Sequence, residues 1–161
     1  MEQLKSQALS ASLTHPENLH LTLAFVGETN RVAAVVQAMD AAGDVPAFDV
    51  CIRDSGQFQD LWWVGIEQSP PLTAVAHRLQ ESLRHSGFPI EHRRFQPHIT
   101  IARKVAANRP IYFEVPRISM TVDHLSLMSS DRRDGRLVYT EIARKVLPPS
   151  SKFDKQIPPA E

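Results

Sequence analysis

A five-residue pattern that occurs twice constrains this chain more than anything else in it. His20-Leu21-Thr22-Leu23-Ala24 is matched 78 residues later by His98-Ile99-Thr100-Ile101-Ala102. Alternation of polar and aliphatic residues is the period of a β-strand, whose successive side chains point to opposite faces. His20 and Thr22 therefore share one face, opposite Leu21, Leu23 and Phe25, and His98 and Thr100 share one face, opposite Ile99 and Ile101. Each strand would bury its aliphatic face and offer an imidazole and a hydroxyl on the other. Two copies in 161 residues point to two half-sites facing one cleft.

Paired imidazoles suit one kind of work. Free imidazole titrates near pH ~6.5, so one ring of a pair can be neutral while the other is protonated. The neutral ring takes a proton and the charged ring gives one. A threonine two residues along adds a hydrogen-bond donor on the same face. Such a set can hold an anionic centre, and cleavage of a phosphodiester needs one proton removed and one supplied.

Composition narrows the partners. Lys+Arg and Asp+Glu both number 18, and hydrophobic residues make up 42%. This is the balance of a globular domain with a sizeable core. A chain that relies on non-specific nucleic-acid affinity is basic, so this one is expected to bind an RNA end locally, or a small nucleotide. The lone Cys51 excludes an intramolecular disulfide and a cysteine-based zinc site, and reads as a small core residue. No apolar run is long enough to span a membrane and no leader pattern opens the chain, so no membrane partner and a cytoplasmic location are the default expectation.

Along the chain, residues 2–12 have helical character, with Leu4, Ala8 and Ala11 on one face. Val32, Val35, Val36 and Met39 make the apolar stripe of a helix that Gly43 would cap. Phe48–Arg53 and Leu61–Ile66 read as strands joined by a polar turn around Ser55-Gly56. One of Trp62 and Trp63 must face inward; the other is left for half-exposed packing or for stacking on a base. Leu72, Val75, Ala76, Leu79 and Leu83 form the stripe of a second helix ended by Gly87, with His77, Arg78, Arg84 and His85 on its solvated side. Glu91-His92-Arg93-Arg94 is a basic patch, readable either as a solvated loop or as a contact for upstream RNA phosphates. Further strands are expected over Ile111–Val115, Ile118–Met128 and Leu137–Leu147, the last two forming a hairpin around Asp131–Gly135. His15 reads as a loop residue and His124 as structural. Residues 148–161 read as a mostly disordered tail after one domain over 1–147.

The paired His-x-Thr-x motifs, the flanking Asn18-Leu19 and Ala24-Phe25, and Phe95-Gln96-Pro97 before the second copy resemble the two-histidine phosphoesterases. Within them the likeness is to bacterial RNA 2′,3′-cyclic phosphodiesterases, also called 2′-5′ RNA ligases. The resemblance implies an α+β fold: two pseudo-symmetric lobes of antiparallel sheet, with outer helices, around a central cleft, each lobe supplying one motif strand. It implies hydrolysis of RNA 2′,3′-cyclic phosphate ends to 2′-phosphomonoesters, with a reversible ATP-independent 2′-5′ ligation open to the same cleft. In that reading His98 is the proton acceptor, His20 the proton donor, and Thr22 and Thr100 hold the non-bridging oxygens. Arg103 binds phosphate, although strict alternation puts it on the face of Ile99, so a bulge or strand end must re-aim it. Neither metal nor other cofactor is called for. Ser129, Ser130, Arg136 and Tyr139 resemble, more weakly, a family stretch near the cleft.

Three other readings stay open: a phosphodiesterase acting on another small nucleotide (a 2′-5′ oligoadenylate or cyclic nucleotide), a metal site built on His20 and His98, and a module that binds RNA ends without turnover. Family members begin with a hydrophobic strand ahead of the first helix, which this sequence lacks. The expected state is a monomer, with a dimer open to it through an exposed sheet edge.

Overall fold

The computed structural model describes residues 1–150; the expected tail over 148–161 therefore lies, apart from its first three residues, outside the described residues. In chain order the elements are α1 (Glu2–Gln7), β1 (Ser10–Leu13), a 3-10 turn (Pro16–Asn18), α2 (Val32–Ala42), β2 (Phe48–Phe58), β3 (Leu61–Ile66), α3 (Pro70–His85), β4 (His98–Ala106), β5 (Ile118–Val122), β6 (His124–Arg133) and β7 (Arg136–Val146). Strands β1-β4-β3-β2-β5 form one sheet and β6-β7 a second, in an α+β arrangement. The pairs β1–β4, β2–β3, β3–β4 and β6–β7 are antiparallel. No helix among the described residues is long and apolar enough to cross a membrane.

The chain divides into two compact units. The first comprises Met1–Leu23, Cys51–Ser69 and Gln96–Met120; the second takes Ala24–Val50, Pro70–Phe95 and the described residues from Thr121. Both motif copies, through Leu23 and from His98, belong to the first unit, whereas the sequence led us to expect one from each lobe.

In the first unit the core lies on one face of the sheet. Leu4, Ile101, Ala102 and Ile111 are buried there, with Ala11, Leu13, Trp62, Val64 and Phe113 packed against them. The expected helix over 2–12 is shorter than its pattern: α1 stops at Gln7, and Ser10–Leu13 pairs with β4 instead. A sheet edge with aliphatic residues to cover outweighs the modest propensity of this stretch. The strand expected over Ile111–Val115 does not form either. Two glutamines of α1 replace its ladder. The Gln7 side-chain amide donates to the Tyr112 carbonyl (2.6 Å) and accepts from the Tyr112 N–H (3.0 Å), and Gln3 Oε1 accepts from the Glu114 N–H (3.4 Å). A primary amide carries the same donor and acceptor as a peptide, so it can stand in for a neighbouring strand.

Strand β2 runs through the turn expected at Ser55-Gly56. It kinks at a bulge where Asp54 takes φ 62°, and turns only at Gln59-Asp60. The long strand expected from Ile118 to Met128 is broken at Asp123, so that β5 and β6 join different sheets.

In the second unit α2 packs on α3 and on β6 and β7. The buried stripe of α3 is Leu72, Val75, Ala76, Leu79 and Leu83, as its spacing predicts. That of α2 is rotated from the expected one: Val35, Ala38, Met39 and Ala42 are buried, and Val32 faces out. Gly43 closes α2 at φ −85°, outside the left-handed region. Its need is space, since a Cβ there would lie 2.6 Å from the Lys145 Cγ. Arg84 is not on a solvated face. Its guanidinium donates to the carbonyls of Ile90 (3.3 Å) and Glu91 (3.4 Å), tying down the loop after the helix. Asp134-Gly135, at φ 50° and 77°, closes the β6–β7 hairpin with the two-residue turn that suits a twisted pair. At the start of the expected tail, the Pro148 carbonyl accepts a hydrogen bond from the Ala47 N–H at 2.7 Å.

Candidate active site

Strand β4 carries the second motif, and its pairing decides which side chains share a face. Opposed residues in an antiparallel pair project to the same side. His98 is opposite Gly65 and Thr100 opposite Trp63, while Ile99 is opposite Val64 and Ala102 opposite Trp62. Trp62 and Val64 belong to the core, so His98 and Thr100 face away from it. Between Thr100 and Ala102 the register slips by one residue: Ile101 is a β-bulge. Beyond it the alternation is inverted. Ala102 is buried with Ile101, and Arg103, opposite Ser12 of β1, turns to the side of His98 and Thr100. The re-aiming that strict alternation denied to Arg103 is thus supplied by one extra residue. Its guanidinium is exposed and makes no ion pair among the described residues.

The first motif is not a continuous strand. After β1 the chain leaves β4 through the Pro16–Asn18 turn and returns for a single antiparallel bridge, Leu21 to Ile99. These are the same position of the two copies. The two copies of the repeat thus meet in space at their matching second positions.

Both rings are anchored alike. His20 Nδ1 lies 2.7 Å from the Asn18 carbonyl and His98 Nδ1 2.8 Å from the Gln96 carbonyl, each two residues upstream. A carbonyl only accepts, so Nδ1 carries the proton and donates. In the neutral ring Nε2 is then the basic nitrogen, and in the protonated ring it is a second donor. Asn18 and Gln96, noted in sequence only as flanks, thus contribute their backbone carbonyls.

Aromatic residues surround the second histidine. The Trp63 ring centroid is 6.1 Å from that of His98, and the Phe58 centroid is 6.2 Å away at an interplanar angle of 77°. Sequence reasoning missed Phe58 because it falls beyond the turn expected at Ser55-Gly56; the signal was its position one two-residue turn ahead of Leu61-Trp62.

Glu67, one residue past β3, ties Arg53 of β2 to Arg117. It receives hydrogen bonds from Arg117 Nη2 (2.7 Å) and Arg53 Nη1 (3.2 Å), and Arg117 above all holds its carboxyl below the usual value of 4.5. Cys51 is half-buried beside it, its Sγ accepting from Arg117 Nε at 3.2 Å, so it is not the apolar core residue expected. Among the described residues no three His, Cys, Asp or Glu side chains form a metal-binding group. Ser129, Ser130, Arg136 and Tyr139 lie on the β6–β7 hairpin of the second unit, and His92, Arg93 and Arg94 on an exposed loop of that unit. His124 is paired with Asp123 at 2.5 Å at the break between β5 and β6.

An antiparallel α+β scaffold that brings two His-x-Thr copies side by side defines the two-histidine phosphoesterases as a class. The chain belongs to the 2′-5′ RNA ligase superfamily, whose family model matches residues 1–134. It is 33% identical over 138 residues to the RNA 2′,3′-cyclic phosphodiesterase of Escherichia coli, an alignment covering 81% of this chain and 77% of the relative. It is 30% identical over 111 residues to the RNA 2′,3′-cyclic phosphodiesterase of Thermotoga maritima, over 64% of this chain, and it spans 59% of that protein's length. Among solved structures it is similar to E. coli LigT complexed with 3′-AMP, with a TM-score of 0.76 and 28% identity over 91% of this chain and 92% of LigT.

Proposed function

We propose that the protein hydrolyses 2′,3′-cyclic phosphate ends of RNA to 2′-phosphomonoesters. The observation that carries this reading is the Leu21–Ile99 bridge, about which two identically anchored imidazoles and two threonines are arranged. In the proposed reaction His98 Nε2 takes a proton from water, the water oxygen attacks phosphorus, and the bond from phosphorus to the 3′ oxygen breaks. His20 Nε2–H protonates that departing oxygen. Thr22 and Thr100 donate to the non-bridging oxygens as charge grows on them, and Arg103 completes the anion site with its fork of donors. If a 5′-hydroxyl replaces water, the same steps yield a 2′-5′ linkage without ATP. The naming of the curated relatives as RNA 2′,3′-cyclic phosphodiesterases and the 3′-AMP complex of LigT support this reading.

The test is a short RNA ending in a 2′,3′-cyclic phosphate, incubated with the protein and a chelator and followed by phosphorus NMR. The expected product is a 2′-phosphomonoester. A 3′-phosphomonoester would reverse the assignment of the leaving oxygen. Loss of turnover on chelation would favour a metal site on His20 and His98. An unchanged cyclic signal with retained binding would favour an RNA-end binding module.

A further inference from the structure

Arg103 is followed by a residue that β4 holds in a costly conformation. Lys104 lies within the strand at φ 53°. Of the other non-glycine residues in the left-handed region, Asp54 and Asp134 carry the short polar side chain that suits it, and Gln59 belongs to a two-residue turn. A lysine in mid-strand has neither, and its Cβ crowds the backbone there. The cause is a second bulge. Ser12 of β1 is opposite Arg103 and Ser10 is opposite Ala106, so Ala11 faces both Lys104 and Val105. Ala11 and Val105 pack on the core, whereas Lys104 is the inserted residue and is exposed. Ser10 and Ser12, two apart on β1, share a face, and Ser12 shares that of Arg103. Both serines are exposed, and the side chains of Ser10, Ser12 and Lys104 make no hydrogen bond or ion pair among the described residues. Beyond Arg103 the β1–β4 edge thus offers an ammonium and two hydroxyls with nothing to donate to. Backbone strain of this kind persists where a ligand clamp needs it.

We infer that Lys104 binds the internucleotide phosphate next to the cyclic end, on the edge it shares with Ser10 and Ser12. The inference rests on the proposed function, in which the motif residues and Arg103 take up the cyclic phosphate. The next anion along an RNA chain is the phosphodiester on the 5′ oxygen of the terminal nucleotide. A free cyclic mononucleotide has no such group. Lys104 therefore makes the site prefer the end of a chain to a single cyclic nucleotide, as a point charge on a flexible stem. It is a substrate-binding residue and takes no part in proton transfer.

Wild type is compared with Lys104→Gly and Lys104→Arg on three substrates. These are adenosine 2′,3′-cyclic phosphate, an adenosine dinucleotide ending in a 2′,3′-cyclic phosphate, and the same dinucleotide with an uncharged methylphosphonate as its internucleotide linkage. Lys104→Gly is expected to raise KM for the charged dinucleotide about 5-fold, the upper end for one exposed ion pair. It should leave KM for the other two unchanged, and Lys104→Arg, which keeps the charge, should match wild type on all three. Glycine takes φ 53° without strain, so Lys104→Gly should melt no lower than wild type. An equal rise on charged and uncharged dinucleotides, a rise shared by the mononucleotide, or no rise at all would overturn the inference. If wild type turns over none of the three, the proposed function fails, and the phosphate contact is decided by binding. Dissociation constants of 2′-AMP and of the dinucleotide 2′-phosphate are then measured for wild type and Lys104→Gly. Weakening confined to the dinucleotide supports the contact, and any other result overturns it.

Discussion

In the proposed reaction, side chains divide into those that move protons and those that hold the scaffold. His20 and His98 are the first kind there, with matched tethers to the carbonyls of Asn18 and Gln96. His20→Ala and His98→Ala are each expected to lower kcat about 100-fold or more, the usual size of acid–base contributions. The double variant should fall far less than the product of the two, because partners in one proton relay are not additive. Steady-state rates on a cyclic phosphate check this, and a single variant near wild-type rate would remove its histidine from the mechanism. Glu67 is of the second kind. Its carboxyl is held below 4.5, first by the Arg117 hydrogen bond and then by that from Arg53. A depressed carboxylate contributes stability that is present above its ordinary value and is lost as pH falls through the folded one. The urea midpoint should therefore drop on acidification below about pH 4.5, and Glu67→Gln should make that drop shallower. An identical pH slope in the variant would show that Glu67 is not a source of it. The histidines and threonines were legible in sequence because a repeat advertises itself. Phe58 was not, because nothing in a linear pattern says that β2 carries on past Gly56.

Strand β4 is the element on which the site depends, and its bulge at Ile101 sets what each face presents. Periodicity placed His98 and Thr100 on the face opposite Ile99 and the buried Ile101, as the pairing with β3 shows. It misplaced Arg103, since alternation counts residues and cannot see one that is skipped; only the family likeness demanded the correction. Deleting Ile101 would remove the bulge and let Ala102 follow Thr100 directly, with Ala102 still opposite Trp62 on the core face and Arg103 still on the side of His98. Ile101→Ala keeps the count and should cost about 2–5 kcal/mol as a buried truncation. The deletion loses the same buried side chain and must also draw the strand in by one residue, so it should melt below Ile101→Ala. Thermal denaturation of the two variants separates the effects, and a deletion as stable as Ile101→Ala would mean that the bulge is dispensable. The failures elsewhere share a cause. At α1, at 111–115 and at the first motif, local pattern competed with tertiary partners, and the partners won: β4 captured Ser10–Leu13, and Gln3 and Gln7 captured the stretch that was expected to pair as a strand.

At the scale of the whole molecule, the α+β class and the superfamily were legible from the two motifs and their flanks, whereas the partition of the chain between its units was not. Each unit is assembled from three separate stretches, and the two sets interleave. This interleaving has a meaning in time. A chain made from its N-terminus releases His20 early, but the strand that Leu21 must meet comes only with residues 98–106, after most of α2, β2, β3 and α3 have already emerged. Neither unit can close before the other is largely synthesised, and neither can be cut out as a contiguous piece. A fragment ending at Phe95 should show no cooperative unfolding transition, although it contains the first motif and the whole of α3. A sharp transition in that fragment would mean that the second unit folds without β6 and β7. The nascent chain thus spends the longest part of its synthesis holding one motif without the other, and it gains the second within a few residues.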